Sequence, residues 1–485
     1  MAVLESSLSL PSGVLVGEEV LSVASEGVLP HYNAATGALQ REFAAAGAAE
    51  VDAAVDAARS ALPVWAGLAP TARRDALLRL ANLLRRRAKE YEEVVILEAG
   101  MVRWLAALQP LIAAEWIEYY AGWADKIEGT TVPMPGAFDY TVREPVGVVA
   151  MLLTWNGPLS AIGMKVPAAL AAGCTVVLKS SELAPFSALM FGKLCLEAGL
   201  PPGTVNVVSG GPAAGDSLVR NPGIDKISFT GGRATAQRIQ ESAAKNLTPM
   251  VLELGGKSAN IIFADADLGA AADSAAAGLS LMSGQTCVAP TRLLVQQDAY
   301  DEVVRAMVDR LSVLRMGDPG AVSTTMGPVI SRVAAERILA SVDQARSSGV
   351  GKLLLGGERP AVDLLPGYFV PPTVFGEVDP ASDLAQTELF GPVLSITPFR
   401  DEDEAVSIAN ASSFGLAAYL HTGSLSRAVR MAAALETGNV AVNGGTSVAG
   451  PAAPFGGFKG SGYGKEGGFD GLLEFTRTKN VNVRL

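Results

Sequence analysis

One alternation constrains this chain more than any other feature. From about residue 148, short β-branched runs take turns with Ala-rich stretches at helical spacing. Residues 148–153, 175–178, 205–208, 226–229 and 251–254 read as strands, and stretches such as 185–198 between them read as helices. A strand that returns to its sheet through a helix lies parallel to its predecessor, so the pattern predicts an open, mostly parallel α/β layer. A second series begins near Asn260, with strands expected at 260–263, 292–295, 393–399, 417–420 and 439–442. Its helices are expected at 300–313, 332–347 and 403–409. A Gly/Pro-rich break at 129–137, a strand-like stretch at 140–146 and a terminal strand at 475–485 lie outside both layers. At ~150 residues per domain, 485 residues accommodate two α/β layers plus an outlying ribbon.

Composition narrows the chemistry. Only His31 and His421 are present, so a site with several His ligands is excluded and no metal site is expected. A general base, if the chain needs one, is expected to be a carboxylate. The net charge of −11 argues against nucleic acid as a partner, because phosphate binding needs a basic patch. Cys174, Cys195 and Cys287 are an odd count in a long chain, which predicts free thiols and a reducing, cytoplasmic setting. Mean hydropathy is +0.30, and the segments 145–164 and 274–291 carry almost no charge. They hold Pro, Gly, Trp155, Asn156 and Gln285 rather than a continuous aliphatic run, so they read as interior and no membrane partner is expected. The N-terminus has an early Glu5 and no basic stretch, so no secretory leader is expected.

Several positions invite a chemical reading beside a plainer one. Cys287, in Gly284-Gln285-Thr286-Cys287, is either inert packing or an approachable thiol. Glu253 ends an apolar run before Gly255-Gly256-Lys257; it either pairs with Lys257 or is a desolvated base. Asn156 is either a turn residue or an oxyanion donor. Lys179 and Glu182 follow a strand and read either as a surface pair or as a nucleotide contact. Thr230-Gly231-Gly232 forms a strand-to-helix turn suited to a pyrophosphate, although no G-x-G-x-x-G follows the first strand.

The order of these motifs is far more specific than any one of them. Tyr32-Asn33-Ala34-Ala35-Thr36-Gly37, Trp155-Asn156, Lys179 with Glu182, Thr230-Gly231, Glu253-Leu254-Gly255-Gly256-Lys257 and Gly284-Gln285-Thr286-Cys287 occur in that sequence. Glu388-Leu389-Phe390-Gly391-Pro392, Pro454-Phe455-Gly456-Gly457 and Ser461-Gly462 complete it. The set resembles the NAD(P)-dependent aldehyde dehydrogenase superfamily over about residues 30–485.

That resemblance implies a Rossmann-like cofactor domain from 1–124 and 147–255 and a catalytic domain from 256–462. It implies a bridging β-ribbon from 125–146 and 463–485, and a homodimer or homotetramer. Cys287 would be the nucleophile, Asn156 the oxyanion donor and Glu253 the base for thioester hydrolysis. Trp155, Lys165, Lys179, Glu182, Thr230, Gly231, Gly232, Leu254, Glu388 and Phe390 would bind NAD, with NADP an open alternative. Gly157, Ser160, Ala161, Met164, Leu281, Phe455 and Phe469 would line the substrate pocket. The pocket residues are small or apolar, which points to a hydrophobic or aromatic aldehyde, and the presence of Glu253, a base that CoA-acylating relatives commonly lack, implies hydrolysis to a free acid. A semialdehyde or CoA-acylating enzyme, with Arg103 as a candidate carboxylate holder, and a non-catalytic relative are the alternatives. Thr154, Cys174, Ser180 and Gly232 depart from the family pattern.

Overall fold

The computed structural model describes residues 10–364, 366–445, 448 and 450–484. Five of the expected strands form the heart of the first sheet. Its order is Glu19–Leu21, Val14–Val16, Val205–Ser209, Thr175–Ser180, Val148–Leu152, Lys226–Gly231, Met250–Leu254, Gly462–Tyr463. The five central strands are parallel. Val148–Leu152, Thr175–Ser180 and Val205–Ser209 are buried along their whole length. That double-sided burial explains why they read as continuous β-branched runs rather than alternating ones. Helices Pro158–Ala172 and Phe186–Glu197 cover one face, while Ala48–Ala66 and Pro212–Arg220 pack on the other. Winding reverses between Val148–Leu152 and Lys226–Gly231, so a crevice opens beyond their C-terminal ends.

The second sheet runs Lys352–Leu355, Thr373–Gly376, Val393–Phe399, Arg292–Gln296, Ala259–Ile262, Ala417–His421, Asn439–Val442. All neighbours are parallel except the outermost pair, Lys352–Leu355 with Thr373–Gly376. Leu268–Ser280 and Tyr300–Ser312 pack on one face, Glu402–Asn410 and Leu425–Ala434 on the other. The fold is thus two α/β units, as the alternation predicts.

A third sheet joins Thr131–Val132, Ala137–Pro145 and Thr476–Arg484 in antiparallel ladders. On it Phe138 stacks on Tyr140 with ring centroids 5.1 Å apart, and Phe138 is exposed. The expected boundary at 463 needs correction: Gly462–Tyr463 adds to the first sheet beside Met250–Leu254. The ladder holding the ribbon together begins only at Thr476. The Tyr32–Gly37 motif closes a hairpin between Val28–Tyr32 and Leu39–Ala44. There the Asn33 side chain accepts from the N–H groups of Ala35 and Thr36 at 2.9 and 3.2 Å. Among the described residues no helix is long and apolar enough to cross a membrane.

Candidate active site

Cys287 stands on a short loop after helix Leu268–Ser280. Met282, Ser283 and Gly284 are all left-handed there, with φ of 51°, 55° and 72°. Left-handed L-residues cost roughly 1–2 kcal/mol each, so the loop needs anchors. The Ser283 hydroxyl donates to the carbonyl of Gly327 at 2.7 Å. Buried Gln285 accepts from the N–H of Ile330 at 2.9 Å and donates to the Met282 carbonyl at 3.0 Å. A Cβ on Gly284 would collide with the Gly391 carbonyl, so the Cys287 loop and the 388–392 loop lie in direct contact.

Asn156 follows Val148–Leu152. Its Nδ2 donates to the Gln285 carbonyl at 2.8 Å, and its Oδ1 accepts from the Thr154 hydroxyl at 2.7 Å. Thr154 therefore fixes which way the amide points, with nitrogen toward the Cys287 loop. One of the two Nδ2 hydrogens is left over.

Glu253, at the end of Met250–Leu254, is only 3% exposed, and neither carboxylate oxygen has a hydrogen-bond partner. Burial holds its carboxyl well above the usual range, and the neighbouring Glu466 charge pushes the same way. Lys257 does not neutralise it. The Lys257 side chain instead acts on Glu388 across the Gly255–Gly256 turn. The cation that acts most on Glu253 is Lys165, fully buried on helix Pro158–Ala172. It is ion-paired with Glu466 and donates to the Ser228 hydroxyl at 2.8 Å. Lys165, implied to lie near the cofactor, thus has its partner inside the protein: a buried ammonium needs a counter-charge, and Glu466 supplies it.

Cys287 feels these carboxylates. Its thiol is pushed up to about 12, first by burial and then by Glu388 and Glu253. Glu388 accepts from the Gly256 N–H at 2.9 Å. Burial lifts its carboxyl to about 7, against the pull of that N–H, Lys257 and Arg337. A Cβ on Gly255 would overlap the Glu388 carboxylate, and one on Gly256 would strike the Cys287 carbonyl. Phe390, left-handed at φ 52°, meets Trp155 edge-on at 5.4 Å.

The remaining cofactor candidates lie along the crevice. Lys179 and Glu182 form an ion pair at 3.3 Å, with Lys179 buried and Glu182 half-exposed. Helix Arg233–Ala243 starts at Gly232, which has open space where a side chain would stand. A helix start leaves N–H groups without intrahelical partners, so Thr230, Gly231 and Gly232 offer an anion seat. Leu254 is buried at the end of its strand.

The pocket candidates separate into two groups. Gly157 caps helix Pro158–Ala172, and Ser160 turns its hydroxyl back to the Gly157 carbonyl at 3.1 Å. The Ser160 N–H donates to Gln109 at 3.1 Å, and Ala161 is buried. Met164 and Phe469 share a cluster with Ile112, Tyr119 and Trp123, and the Phe469 and Trp123 rings are 4.7 Å apart. Phe455 is buried and bridged through its backbone to Glu466. Leu281 stands apart from Phe469, packed with Trp155 and Met282 against Met101, Val102 and Leu105. The left-handed turn beginning at Met282 sends it there. Arg103 is not free: it pairs with Glu93 at 2.8 Å and with Glu92, and donates to the Gly320 carbonyl at 2.6 Å.

Sequence reasoning misses Glu466, the orienting Thr154 and the aromatic face of helix Arg103–Ala121. A signal is present for the last: Trp116, Tyr119 and Tyr120 crowd one turn and a half, with Trp123 just beyond. Among the described residues no three His, Cys, Asp or Glu side chains cluster as a metal site.

A parallel sheet with a switch-point crevice, beside a thiol and buried carboxylates, suits a nucleotide-dependent enzyme. Comparison with known proteins makes this specific. Residues 22–481 match the aldehyde dehydrogenase family. The chain is 41% identical over 460 residues to (Z)-2-((N-methylformamido)methylene)-5-hydroxybutyrolactone dehydrogenase of Acinetobacter baylyi, covering 93% of each chain. It is 39% identical to human retinal dehydrogenase 2, covering 97% of this chain and 92% of that one. The structure of betaine aldehyde dehydrogenase from Staphylococcus aureus in complex with NAD+ superposes with a TM-score of 0.95 at 33% identity, covering 98% and 95%. The chain belongs to the aldehyde dehydrogenase family. It is an enzyme that oxidises an aldehyde with NAD(P).

Proposed function

We propose that this enzyme oxidises a hydrophobic or aromatic aldehyde to the free acid with NAD, through Cys287, Asn156 and Glu253. The observation that carries the reading is Glu253: a buried carboxylate with both oxygens unpartnered, close enough to Cys287 to perturb its thiol. Such a group costs stability unless it has work to do.

Cys287 attacks the aldehyde carbon as thiolate. The free Nδ2 hydrogen of Asn156 and the Cys287 N–H hold the oxyanion that forms. The nicotinamide, when bound, accepts the hydride and leaves a thioester on Cys287. Glu253 then takes a proton from water as that water attacks the thioester, and the C–S bond breaks to release the acid and return Cys287 as thiolate. Glu466 supports this as a negative neighbour that raises the basicity of Glu253, against the opposing pull of Lys165. Glu388 suits the nicotinamide ribose hydroxyls, with Phe390 and Trp155 beside it. Lys179 and Glu182 suit the adenosine ribose, where a carboxylate accepts from a 2′-hydroxyl and repels a 2′-phosphate. That charge favours NAD over NADP.

The substrate assignment rests on what surrounds Met164 and Phe469. Aromatic rings line that side, and Arg103 is already held by two glutamates. A distal carboxylate would find no free cation among these residues. Retinal, named in one relative, is an apolar aldehyde of this kind. The exposed Phe138 and the ribbon support a homodimer or homotetramer. Three free cysteines support a cytoplasmic setting.

The test is NADH formation across an aldehyde panel, with and without CoA. Benzaldehyde should give a higher kcat/KM than succinic semialdehyde, and CoA should leave the product unchanged. The opposite ranking, or acyl-CoA as product, overturns the substrate or hydrolysis assignment respectively.

A further inference from the structure

Beyond the Gly255-Gly256 turn lies a polar cavity of about 20 Å³, room for one water-sized group. Its wall includes Lys257, Ser258, Arg292, Asn410 and Thr437, around the N-terminal ends of strands Ala259–Ile262, Arg292–Gln296 and Ala417–His421. The proposed reaction uses none of these side chains. Two of them are cations, and both are buried: Lys257 is 2% exposed and Arg292 4%. Among the described residues neither makes an ion pair.

The two cations are not equally satisfied. Arg292 donates to the carbonyls of Lys257, Ile408 and Ala409 at 2.8, 3.0 and 2.8 Å, so its planar fork is held rigidly. Lys257 has no such partners. Its ammonium makes no hydrogen bond among the described residues, although Lys257 is one of the residues that line the cavity. The nearest acids are engaged elsewhere. Glu388 accepts from the Gly256 N–H, and Glu436, also in the wall, pairs with Lys459 at 2.5 Å. Two buried hydroxyl oxygens in the wall, on Ser258 and Thr437, also lack partners, so either can turn inward without breaking a bond. A buried ammonium beside a guanidinium, with free hydroxyl donors and no free acid, is an unbalanced positive site.

We propose that this cavity binds one small monovalent inorganic anion between Lys257 and Arg292. The anion accepts from the ammonium and from the orphan hydroxyls. It also supplies a negative charge in direct contact with two cations that make no ion pair among the described residues. Burial drives the Lys257 ammonium down to about 7, with Arg292 pressing the same way, and an anion opposes both.

The site has a link to the reaction. Lys257 is one of the charges that keep the Glu388 carboxyl from rising further. An anion masks that charge, so Glu388 protonates more readily and accepts ribose hydroxyls less well. This consequence rests on the proposed role of Glu388, whereas the binding itself does not.

Two experiments test the site. Crystals of the enzyme are soaked in sodium bromide, and anomalous scattering at the bromine edge locates the ion. A peak between Lys257 Nζ and the Arg292 guanidinium supports the proposal; peaks confined to surface positions overturn it. In solution, sodium chloride replaces sodium gluconate at constant ionic strength during thermal unfolding. Chloride at ~10-fold over its dissociation constant should raise the wild-type midpoint by on the order of 2 °C, saturably. Lys257→Met should abolish that rise, and an equal rise in both proteins overturns the proposal. Should Lys257→Met fail to fold, the double variant Ser258→Ala/Thr437→Val takes its place. It should weaken both the chloride effect and the bromide peak, and an unchanged pair of readings overturns the hydroxyl contacts. A chloride-dependent increase in KM for NAD, without change in kcat, tests the link to Glu388 separately. Its absence with bromide bound refutes the Glu388 role and leaves the site standing.

Discussion

Glu253→Gln separates the chemistry from the fold. The substitution keeps the shape and removes the charge. Neither Glu253 oxygen takes part in a hydrogen bond, so no internal bond is lost. One orphan polar group replaces another, and near pH 5 the folding stability should stay within about 1 kcal/mol. The sign of the pH effect follows from the raised carboxyl. A carboxyl raised in the folded state contributes stability below its unfolded value and loses it as pH rises through the folded value. The Gln variant lacks that loss, so its midpoint should overtake that of the wild type as pH increases. Catalysis should behave in the opposite way. Removal of a general base costs about 10²–10⁴ in rate, or roughly 3–5 kcal/mol of barrier. The loss should fall on thioester hydrolysis alone. Stopped-flow NADH absorbance should then show a burst of one equivalent per subunit followed by a much slower steady state. A steady-state kcat within about tenfold of the wild type would refute the assignment. So would a variant with no burst, because Glu253 would then be needed before the thioester forms.

Asn156→Ala removes one oxyanion donor and should lower kcat by about 10²–10³, with KM for NAD little changed; steady-state kinetics decides. Glu466→Gln removes the like charge beside Glu253, so the acid limb of the kcat profile should move to lower pH. The same substitution strands Lys165 and should cost about 3–5 kcal/mol of stability, most of it recovered in Lys165→Met/Glu466→Gln, as measured by chemical unfolding. Cys287 labelling by iodoacetamide in the absence of NAD should speed up about tenfold per pH unit, with no plateau across the neutral range, since its thiol lies at about 12. Cys174 and Cys195, both fully buried, should stay unlabelled in the folded protein by peptide mass analysis. Gly284→Ala drives a Cβ into the Gly391 carbonyl, so it should disturb both labelling of Cys287 and NAD binding measured by calorimetry.

The central strands are legible in the sequence because they are buried on both faces. Val148–Leu152 and Val205–Ser209 have no solvent side on which polar residues could interrupt the pattern. The edge strands are not legible. Glu19–Leu21 and Lys352–Leu355 are short and half-exposed, so they carry no distinctive period. In the site, Asn156, Glu253 and Cys287 stand out because a polar residue at the end of an apolar run is conspicuous. Glu466 is hidden in Lys465-Glu466-Gly467-Gly468, which reads as a solvated turn. Its buried partner Lys165 lies 301 residues earlier, and no local pattern reports such a pairing. Lys257 misleads in the other direction. Proximity in sequence suggests a partner for Glu253, but beyond the turn at Gly255–Gly256 its charge acts on Glu388, and Lys257 is one of the residues around the polar cavity. Thr154 reads as a departure from the family pattern, yet its hydroxyl does the local task of aiming Asn156.

The strand Gly462–Tyr463 has a consequence for the order of events during synthesis. Gly462 is the register partner of Glu253, and the Ser461 hydroxyl ties to the Gly255 carbonyl at 2.7 Å. The segment that walls in Glu253 and supplies Glu466 therefore leaves the ribosome long after Glu253 itself. The tie between Gly255 and Ser461 spans 206 positions. At roughly 5–20 residues per second, that stretch takes on the order of ten to forty seconds to make. For most of that interval the Cys287 loop already exists, while the strand edge beside Glu253 waits unpaired. A nascent chain thus carries Cys287 well before Glu253 is walled in, and the proposed site is complete only once segment 461–466 docks.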